Sequence, residues 1–503
     1  MVCQLVFLLP VGLHRLIARD EGFYLLAAKL VSEGKRLYHD FFYPQMPFLP
    51  WVYGPWLSLA GMQWNHARLL ATLLTAAIGA LLCLRAARLF GNVYAAVGLL
   101  LFCASVPVFS VYTTVTTYSL STLFLFAAYV ILCSQTKKGI KYLWAGLIYA
   151  MAINTRLMFA GVFPAFLLYI LFEERPVQTG AAVLKFCSGL ALGLSVNLYF
   201  LWPSLDVFYF NNLGYHLQRS SAGLAQTMEH RRQVLGLLCG WVRGVKFESV
   251  QFPILIWSAI TALLVRFFSG SRIDAAHYIW SFLFAVNFLP KPVYVQYFST
   301  LVPFLTIGVL DFSHMLFASK SGMVKGLAAA AACLGIWIYL KNVNQDVIKY
   351  TVTGRGVIGI MRPQNALDWN IERVREISRI INGIAPPDEP VFSYWPGYLI
   401  ETSAQPLPGS ENQFGIITAD NLTEHLRRKY SVISNTETLA ALRAGLPGLV
   451  LIHQRLSPTG FRQALREGGY GLIKSLDAVE IYARFQPSCA PEVDEVGVQN
   501  RAS

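Results

Sequence analysis

A mainly α-helical polytopic membrane protein with a small C-terminal α/β domain is the fold class this sequence predicts. Three observations predict it. The 503 residues are 55% hydrophobic and only 14% charged, with mean hydropathy +0.47, too little charge to cover a soluble surface. Apolar segments of roughly membrane length, about 20 residues each, recur along the first two thirds. Near residue 345 polar residues return, with strand and helix patterns in alternation.

Eleven candidate spans fall near 2–18, 66–89, 92–111, 118–134, 142–155, 157–172, 181–202, 252–268, 275–290, 297–317 and 324–342. The first lacks the basic leader and small-residue cleavage site of a signal peptide. An odd number puts the termini on opposite sides. One set of short loops carries Arg85, Arg88, Lys137, Lys138, Lys141, Arg175, Lys185, Arg266, Arg272, Lys320 and Lys325, whereas the opposite short loops carry only Arg156 and Lys291. The positive-inside rule makes the first set cytoplasmic. The 19–61 loop, the 203–250 loop and everything after about 345 then lie outside. The net charge of +13 is scattered between apolar segments, a pattern suited to anionic lipid and not to nucleic acid.

The domains expected are 1–345, transmembrane, with interfacial helices in the 19–61 loop; 346–487, an extracytoplasmic α/β domain; and 488–503, a disordered tail. In the second, Val374, Ile377, Ile381 and Ile384 recur at helical spacing before Pro386-Pro387. "PVFSYW" and "GLVLIH" read as strands, "TETLAALRAG" and "PTGFRQALREGG" as helices, and "GLIKSL" with "AVEIYAR" as a hairpin split by Asp477. The eight cysteines stand singly, with no metal-ligand spacing, and read as apolar packing residues.

The loop after the first span, "RDEGFYLLAAKLVSEGKRLYHDFFYPQMPF", holds the densest chemistry. Between Glu21 and Val31 the pattern is helical, with Lys29 and Glu33 on a polar side, so the helix is expected to lie along the interface. The 47–61 piece, interrupted by Pro50, Gly54 and Pro55, reads as a second interfacial or re-entrant helix. A carboxylate pair at such a boundary has two explanations. Asp20 can be an N-cap with Glu21 in the first turn, or one of them can act as a general base on a substrate presented by lipid.

These residues resemble the first outer loop of the polyprenyl-phosphate-sugar-dependent glycosyltransferases of the GT-C fold, which include protein O-mannosyltransferases and aminoarabinose transferases. The shared pattern is Asp20-Glu21, the aromatic Tyr24, and Tyr38-His39-Asp40-Phe41-Phe42-Tyr43-Pro44-Gln45-Met46-Pro47, with Met46 where the first of two prolines is usual. Weaker similarities follow in order: "LIYAMAINTRLMFAGVFPAF" with Arg156, "FYFNNLGYHLQRS" with His216 and Arg219, "YVQYFSTLVPFLTIG" with Tyr297, preceded by Lys291, and "VFSYWPGYLIETSAQPLPGSENQFG" in the outer domain. One departure is that "VYTTVTTYSLST" has no acid where many relatives carry a second one, which puts a metal site in doubt.

The resemblance implies an enzyme that moves a hexose or pentose from a polyprenyl-phosphate donor to a lipid, glycan or protein acceptor outside the cell membrane, with a multi-pass place in a bacterial inner membrane expected. It implies Asp20 and Glu21 as catalytic residues, with Asp20 the base of an inverting displacement. Tyr24, Asp40, Tyr43, Arg156, His216, Arg219, Lys291 and Tyr297 are the implied substrate-binding residues. No cofactor is certain; a divalent cation is the candidate, with its ligands unknown. Each assignment has a plainer competitor: Arg156 and Lys291 also fit snorkelling to head groups, Asp40 a turn cap, His216 a surface histidine, and Tyr24, Tyr43 and Trp395 an interfacial aromatic belt. The alternative from another class is a transporter or a flippase of lipid-linked glycans. Such proteins carry charge at the bilayer midplane, where Asp311 is the main acid here.

Overall fold

The computed structural model describes residues 2–484 apart from 136–137, 174–175, 219–222, 243–249, 355–365, 388 and 454–458. The expected tail at 488–503 and Arg219 lie outside the described residues. Each of the eleven predicted segments is helical over most of its length. Five helical stretches are long and apolar enough to cross a membrane: Trp64–Phe90, Thr179–Leu201, Gln251–Phe268, Val295–Phe317 and Gly322–Thr353. The shorter apolar helices include Val2–His14, Asn92–Cys103, Thr117–Leu132 and Ala275–Val286. Helix Gly322–Leu340 buries only Ala328 and Tyr339, and Met323, Leu327 and Trp337 are exposed. A continuous apolar exterior of this kind is stable only against hydrocarbon.

The helices that position the functional residues are α1 (Val2–His14), α2 (Glu21–Ser32), α3 (Phe48–Ala60), α4 (Trp64–Phe90), α5 (Asn92–Cys103), α6 (Thr117–Leu132), α7 (Lys138–Thr155), α8 (Phe163–Glu173) and α9 (Pro176–Leu194). Between α5 and α6 the chain makes a wide turn at Val108–Tyr112. Helices α7 and α9 meet at glycines. A Cβ on Gly146 would fall 2.0 Å from the Phe186 carbonyl oxygen, and one on Gly189 2.0 Å from that of Leu143. Small residues let the two backbones touch, the usual device of packing within lipid. Asn154 Nδ2 donates to Gly193 O (2.9 Å) and Asn197 Nδ2 to Asn154 Oδ1 (2.7 Å), which fixes the end of α7 just ahead of Arg156.

The C-terminal sheet has order β2-β1-β3-β5-β4, formed by β1 (Pro390–Ser393), β2 (Gln405–Pro406), β3 (Leu449–His453), β4 (Tyr470–Leu476) and β5 (Val479–Arg484). Strands β1, β2 and β3 run parallel, while β5 pairs antiparallel to both β3 and β4. Asp477 turns the closing hairpin at φ 52°. The amphipathic helix spans Ile371–Ile384 and buries Ile371, Val374, Ile377 and Ile381. Ile384, expected on that face, is exposed at the helix end. The two-residue β2 and the helices Gln413–Ala419 and Glu424–Lys429 are too short to leave a periodic signal.

The first loop differs from expectation in one respect. Helix α2 is buried from Glu21 to Leu30 because the outer α/β layer covers the side that the sequence assigns to solvent. Lys29 is buried, and its ammonium donates to Leu399 O (2.8 Å) and Thr402 O (2.6 Å). Gly22 touches Trp395 and Gly397, and Gly54 of α3 touches Ala28 O. Residues of α1, α2, α3 and of the α/β layer, among them Trp369, Val374, Trp395 and Leu449, share one hydrophobic core. The loop is thereby clamped between the helical bundle and the outer layer.

Candidate active site

The two adjacent carboxylates part company at the start of α2. Glu21 is wholly buried and faces Arg68, also wholly buried, with Nε 2.6 Å from Oε2 and Nη2 donating to Oε1 at 2.7 Å. It also accepts the Ala18 N–H at 2.7 Å and the Val115 N–H at 2.9 Å. Arg68 in turn donates to Gly12 O at 2.8 Å. One carboxylate thus ties together α1, the first loop, α4 and the 113–117 loop. Every lone-pair direction of Glu21 is spoken for, which leaves it no capacity to receive a substrate proton. The partners of Glu21, expected as a catalytic group, are groups that hold the fold together.

Asp20 is the half-buried member of the pair. It occupies the N-cap position with helical backbone angles and makes no side-chain cap bond, so the capping explanation does not describe it. Its electrostatic neighbours identify its surroundings. Burial pushes the Tyr24 phenol far up, and the charge of Asp20 adds to that, with Tyr118 after it; Arg156 and a hydrogen bond with Thr117 oppose the shift. Asp20, Tyr24, Thr117, Tyr118 and Arg156 therefore occupy one electrostatic neighbourhood.

Arg156 is the centre of that group. It is 7% exposed and sits in extended backbone between α7 and the tight turn Leu157–Val162 that leads into α8. Its guanidinium carbon lies 4.5 Å from the Tyr118 ring centre and 4.8 Å from that of Tyr297. Nη1 approaches Thr117 Oγ1 at 3.4 Å. Two aromatic rings lie against a buried cation, and no carboxylate forms an ion pair with it among the described residues. The snorkelling explanation does not fit a guanidinium enclosed in this way.

The remaining predicted residues scatter. Asp40 lies on the surface in a local ion pair, its Oδ1 3.0 Å from Arg36 Nη2 and 2.8 Å from His39 Nδ1. Burial, the largest single influence, raises its pKa, but the hydrogen bonds from Arg36 and His39 and the Arg36 charge together outweigh it and hold the carboxyl down at about 2. Tyr43 is buried against Tyr24, 6.2 Å between ring centres, and its N–H donates to Asn211 Oδ1 at 2.9 Å. His216 Nε2 donates to Pro44 O at 3.0 Å, so the 205–218 segment grips the turn of the first loop. Lys291 is exposed and lines a pocket of about 370 Å³ with Thr227, His230 and Arg231; neither Asp20 nor Arg156 lines that pocket. Trp395 is a core residue, donating to Arg19 O at 2.9 Å and stacked on Trp64 at 6.1 Å.

Sequence reasoning passed over Arg68, Thr117 and Tyr118. Arg68 lies in an apolar span and was the available signal, since a charge there must be paired. The acid-free stretch "VYTTVTTY" supplies a backbone N–H to Glu21 and hydroxyls near Arg156 in place of a carboxylate. No group of three or more His, Cys, Asp or Glu gathers to hold a metal ion among the described residues. The described residues therefore do not assemble a site for the divalent cation.

Residues 44–202 match the family described as dolichyl-phosphate-mannose-protein mannosyltransferase. Among solved structures, the chain is similar to ArnT from Cupriavidus metallidurans in its apo state, with TM-score 0.64 at 13% identity over 98% of both chains. It is equally similar to the same protein bound to undecaprenyl phosphate, with TM-score 0.63 at 14% identity over 98% of both chains. An oligosaccharyltransferase from Archaeoglobus fulgidus gives TM-score 0.46 at 12% identity, over 98% of this chain and 74% of that one. No curated protein matches the sequence. At this identity the likeness to ArnT is one of fold.

Proposed function

We propose that this chain, which has the GT-C glycosyltransferase fold, moves a sugar from a polyprenyl phosphate to an acceptor hydroxyl on the extracytoplasmic face of a cell membrane. The family match over 44–202 and a fold shared with a structure that holds undecaprenyl phosphate support the reading. The observation that carries it is the pairing of roles at α2. Glu21 is consumed by Arg68, while Asp20 stands half-buried in the neighbourhood of a desolvated arginine that has no carboxylate partner among the described residues.

Chemically, Asp20 takes the proton of the acceptor hydroxyl as its oxygen attacks the anomeric carbon, with inversion. A base so placed contributes about 10²–10⁴-fold. The bond to the lipid phosphate breaks at the same time, and negative charge grows on the departing phosphate. Arg156, held against the rings of Tyr118 and Tyr297, is preorganised to stabilise that charge. Its guanidinium can meet two phosphate oxygens at once, which a lysine cannot do. The donor sugar and the choice among lipid, glycan and protein acceptors are set by pocket contacts and not by these groups.

The transport alternative loses its sequence support. Asp311, the acid expected at the midplane, is paired instead with Arg266 in the last turn of its helix, at 2.5 Å, and with His277 at 3.2 Å, an arrangement that fixes helices together. The experiment is turnover by the purified full chain over a panel of polyprenyl-phosphate sugars, wild type beside Asp20→Asn. Transfer from at least one donor, lost in the variant, is expected. Unchanged turnover in the variant removes the proposed base, and no transfer from any donor removes the reading.

A further inference from the structure

The segment Gly409–Gln413 of the outer layer, "GSENQ", has no part in the mechanism above, yet it holds a concentration of buried polar atoms without partners. Glu411 is 8% exposed, Asn412 2% and Gln413 0%. Glu411 Oε1 accepts from Gly409 N at 3.1 Å and Asn412 Oδ1 from Phe414 N at 2.9 Å. Glu411 Oε2, Asn412 Nδ2 and both polar atoms of the Gln413 amide have no hydrogen-bond partner among the described residues. The hydroxyl of Tyr43, in the first loop, is in the same condition. Buried polar atoms are nearly always satisfied in folded proteins, so five such atoms from four residues call for something that answers them.

Their surroundings place them against the loop that carries Asp20. Phe414 meets Phe23 edge-on at 5.8 Å, and Phe23 lies 6.4 Å from Tyr43. A Cβ on Gly415 would touch the Phe42 ring at 2.9 Å. The guanidinium of Arg19, next to Asp20, lies 5.5 Å over Phe414. The chemistry of the set is specific. It offers amide donors, an amide acceptor, a phenol and a carboxyl oxygen, beside aromatic rings. Burial lifts the Glu411 carboxyl to about 8, so at neutral pH it is mostly protonated and both donates and accepts. An apolar ligand leaves these groups unmet, and a bare phosphate finds more acceptors than cations. A ring bearing several hydroxyls meets donors and acceptors alike.

We infer that Glu411, Asn412, Gln413 and Tyr43 form a subsite for a hydroxylated sugar ring, and that they determine which sugar the protein accepts. The inference rests on the glycosyl-transfer reading and names where its specificity resides. The same chemistry is offered by the ring of the lipid-linked donor and by an acceptor glycan. At exposed positions the outer layer and the first loop meet through Ser431 Oγ donating to His39 O (2.9 Å) and a long contact of Gln405 with Glu33 (3.5 Å).

The test is a binding titration of the full chain in nanodiscs, wild type beside Asn412→Asp, which keeps the oxygen that accepts from Phe414 N and removes the amide donor, and the near-isosteric Gln413→Met. The probes are undecaprenyl phosphate, undecaprenyl-phosphate mannose, glucose and galactose, and the three corresponding methyl glycosides. Wild type is expected to distinguish at least one sugar-bearing probe from the others. The variants should weaken that probe about tenfold, while undecaprenyl phosphate binding and the unfolding temperature stay as in wild type. Loss on the lipid-linked probes assigns the donor ring, and loss on the methyl glycosides assigns the acceptor ring. Three results overturn the inference: variants that bind every sugar probe like wild type, leaving buried water as the partner of these atoms; a parallel loss of undecaprenyl phosphate binding or of the fold; or a wild type that discriminates no sugar. A wild type that binds sugar through these residues but transfers none sinks the glycosyl-transfer reading while the subsite stands.

Discussion

Asp20 and Glu21 are neighbours in the chain and opposites in environment. Around Glu21 the charge is closed: a buried guanidinium, two backbone N–H donors and no route for solvent. Around Asp20 and Arg156 it is open, with a half-buried acid and a cation that has aromatic faces in place of a counter-ion. A closed buried pair resists loss of either partner, because the survivor is left charged and dry. An unpaired cation near an acid is costly to the fold and is retained where charge has to be met later, in a transition state. The two sites share α2 and the 113–117 loop, so the closed one acts as the mount of the open one.

The comparison breaks if removing the closed pair is harmless. Arg68→Met, which leaves Glu21 only the longer contact with the buried Arg15 at 3.8 Å, is expected to destabilise the protein by about 3–5 kcal/mol, read as thermal unfolding in detergent. A smaller effect is expected at the open site. Arg156→Lys keeps the charge but loses the planar contact with Tyr118 and Tyr297, and should cost about 10–100-fold in turnover with unfolding little changed. Smallest is Asp40→Asn, where an exposed pair with Arg36 is worth about 0.2–1 kcal/mol. Because the folded Asp40 carboxyl titrates at about 2, below its ordinary 3.8, its contribution is present above pH about 4 and is lost as pH falls towards 2. The stability difference between wild type and Asp40→Asn should vanish over that window and be flat above it, with turnover at neutral pH within about twofold of wild type. A large loss of turnover in Asp40→Asn would instead put Asp40 at the substrate.

Much of this was legible in the residues, for physical reasons. Apolar runs are unambiguous because lipid admits little else, and the helix at 371–384 and the closing hairpin declare themselves by period and by turn chemistry. The "DEGFYLL" pair, Tyr24 and Arg156 were legible as a group through family resemblance and order along the chain. The division of labour between Asp20 and Glu21 was not, since it depends on Arg68, 47 residues away on another helix. Lys29 misled because its polarity implies solvent, whereas two backbone carbonyls of the outer layer receive it. The motif also points to Asp40 and His216, and their partners in the structure, a local ion pair for one and the Pro44 carbonyl for the other, are equally invisible in the pattern. Single-residue polarity tells that a group needs a partner and not where the partner is.

The central claim is that chemistry and scaffold are separated across one peptide bond. It is tested most directly by measuring turnover and thermal unfolding on the same preparations of Asp20→Asn and Glu21→Gln. Asp20→Asn is expected to lose about 10²–10⁴-fold in rate at an unfolding temperature like that of wild type, and Glu21→Gln chiefly to lose stability. An Asp20→Asn protein that turns over normally, or that unfolds as early as Glu21→Gln, would contradict it.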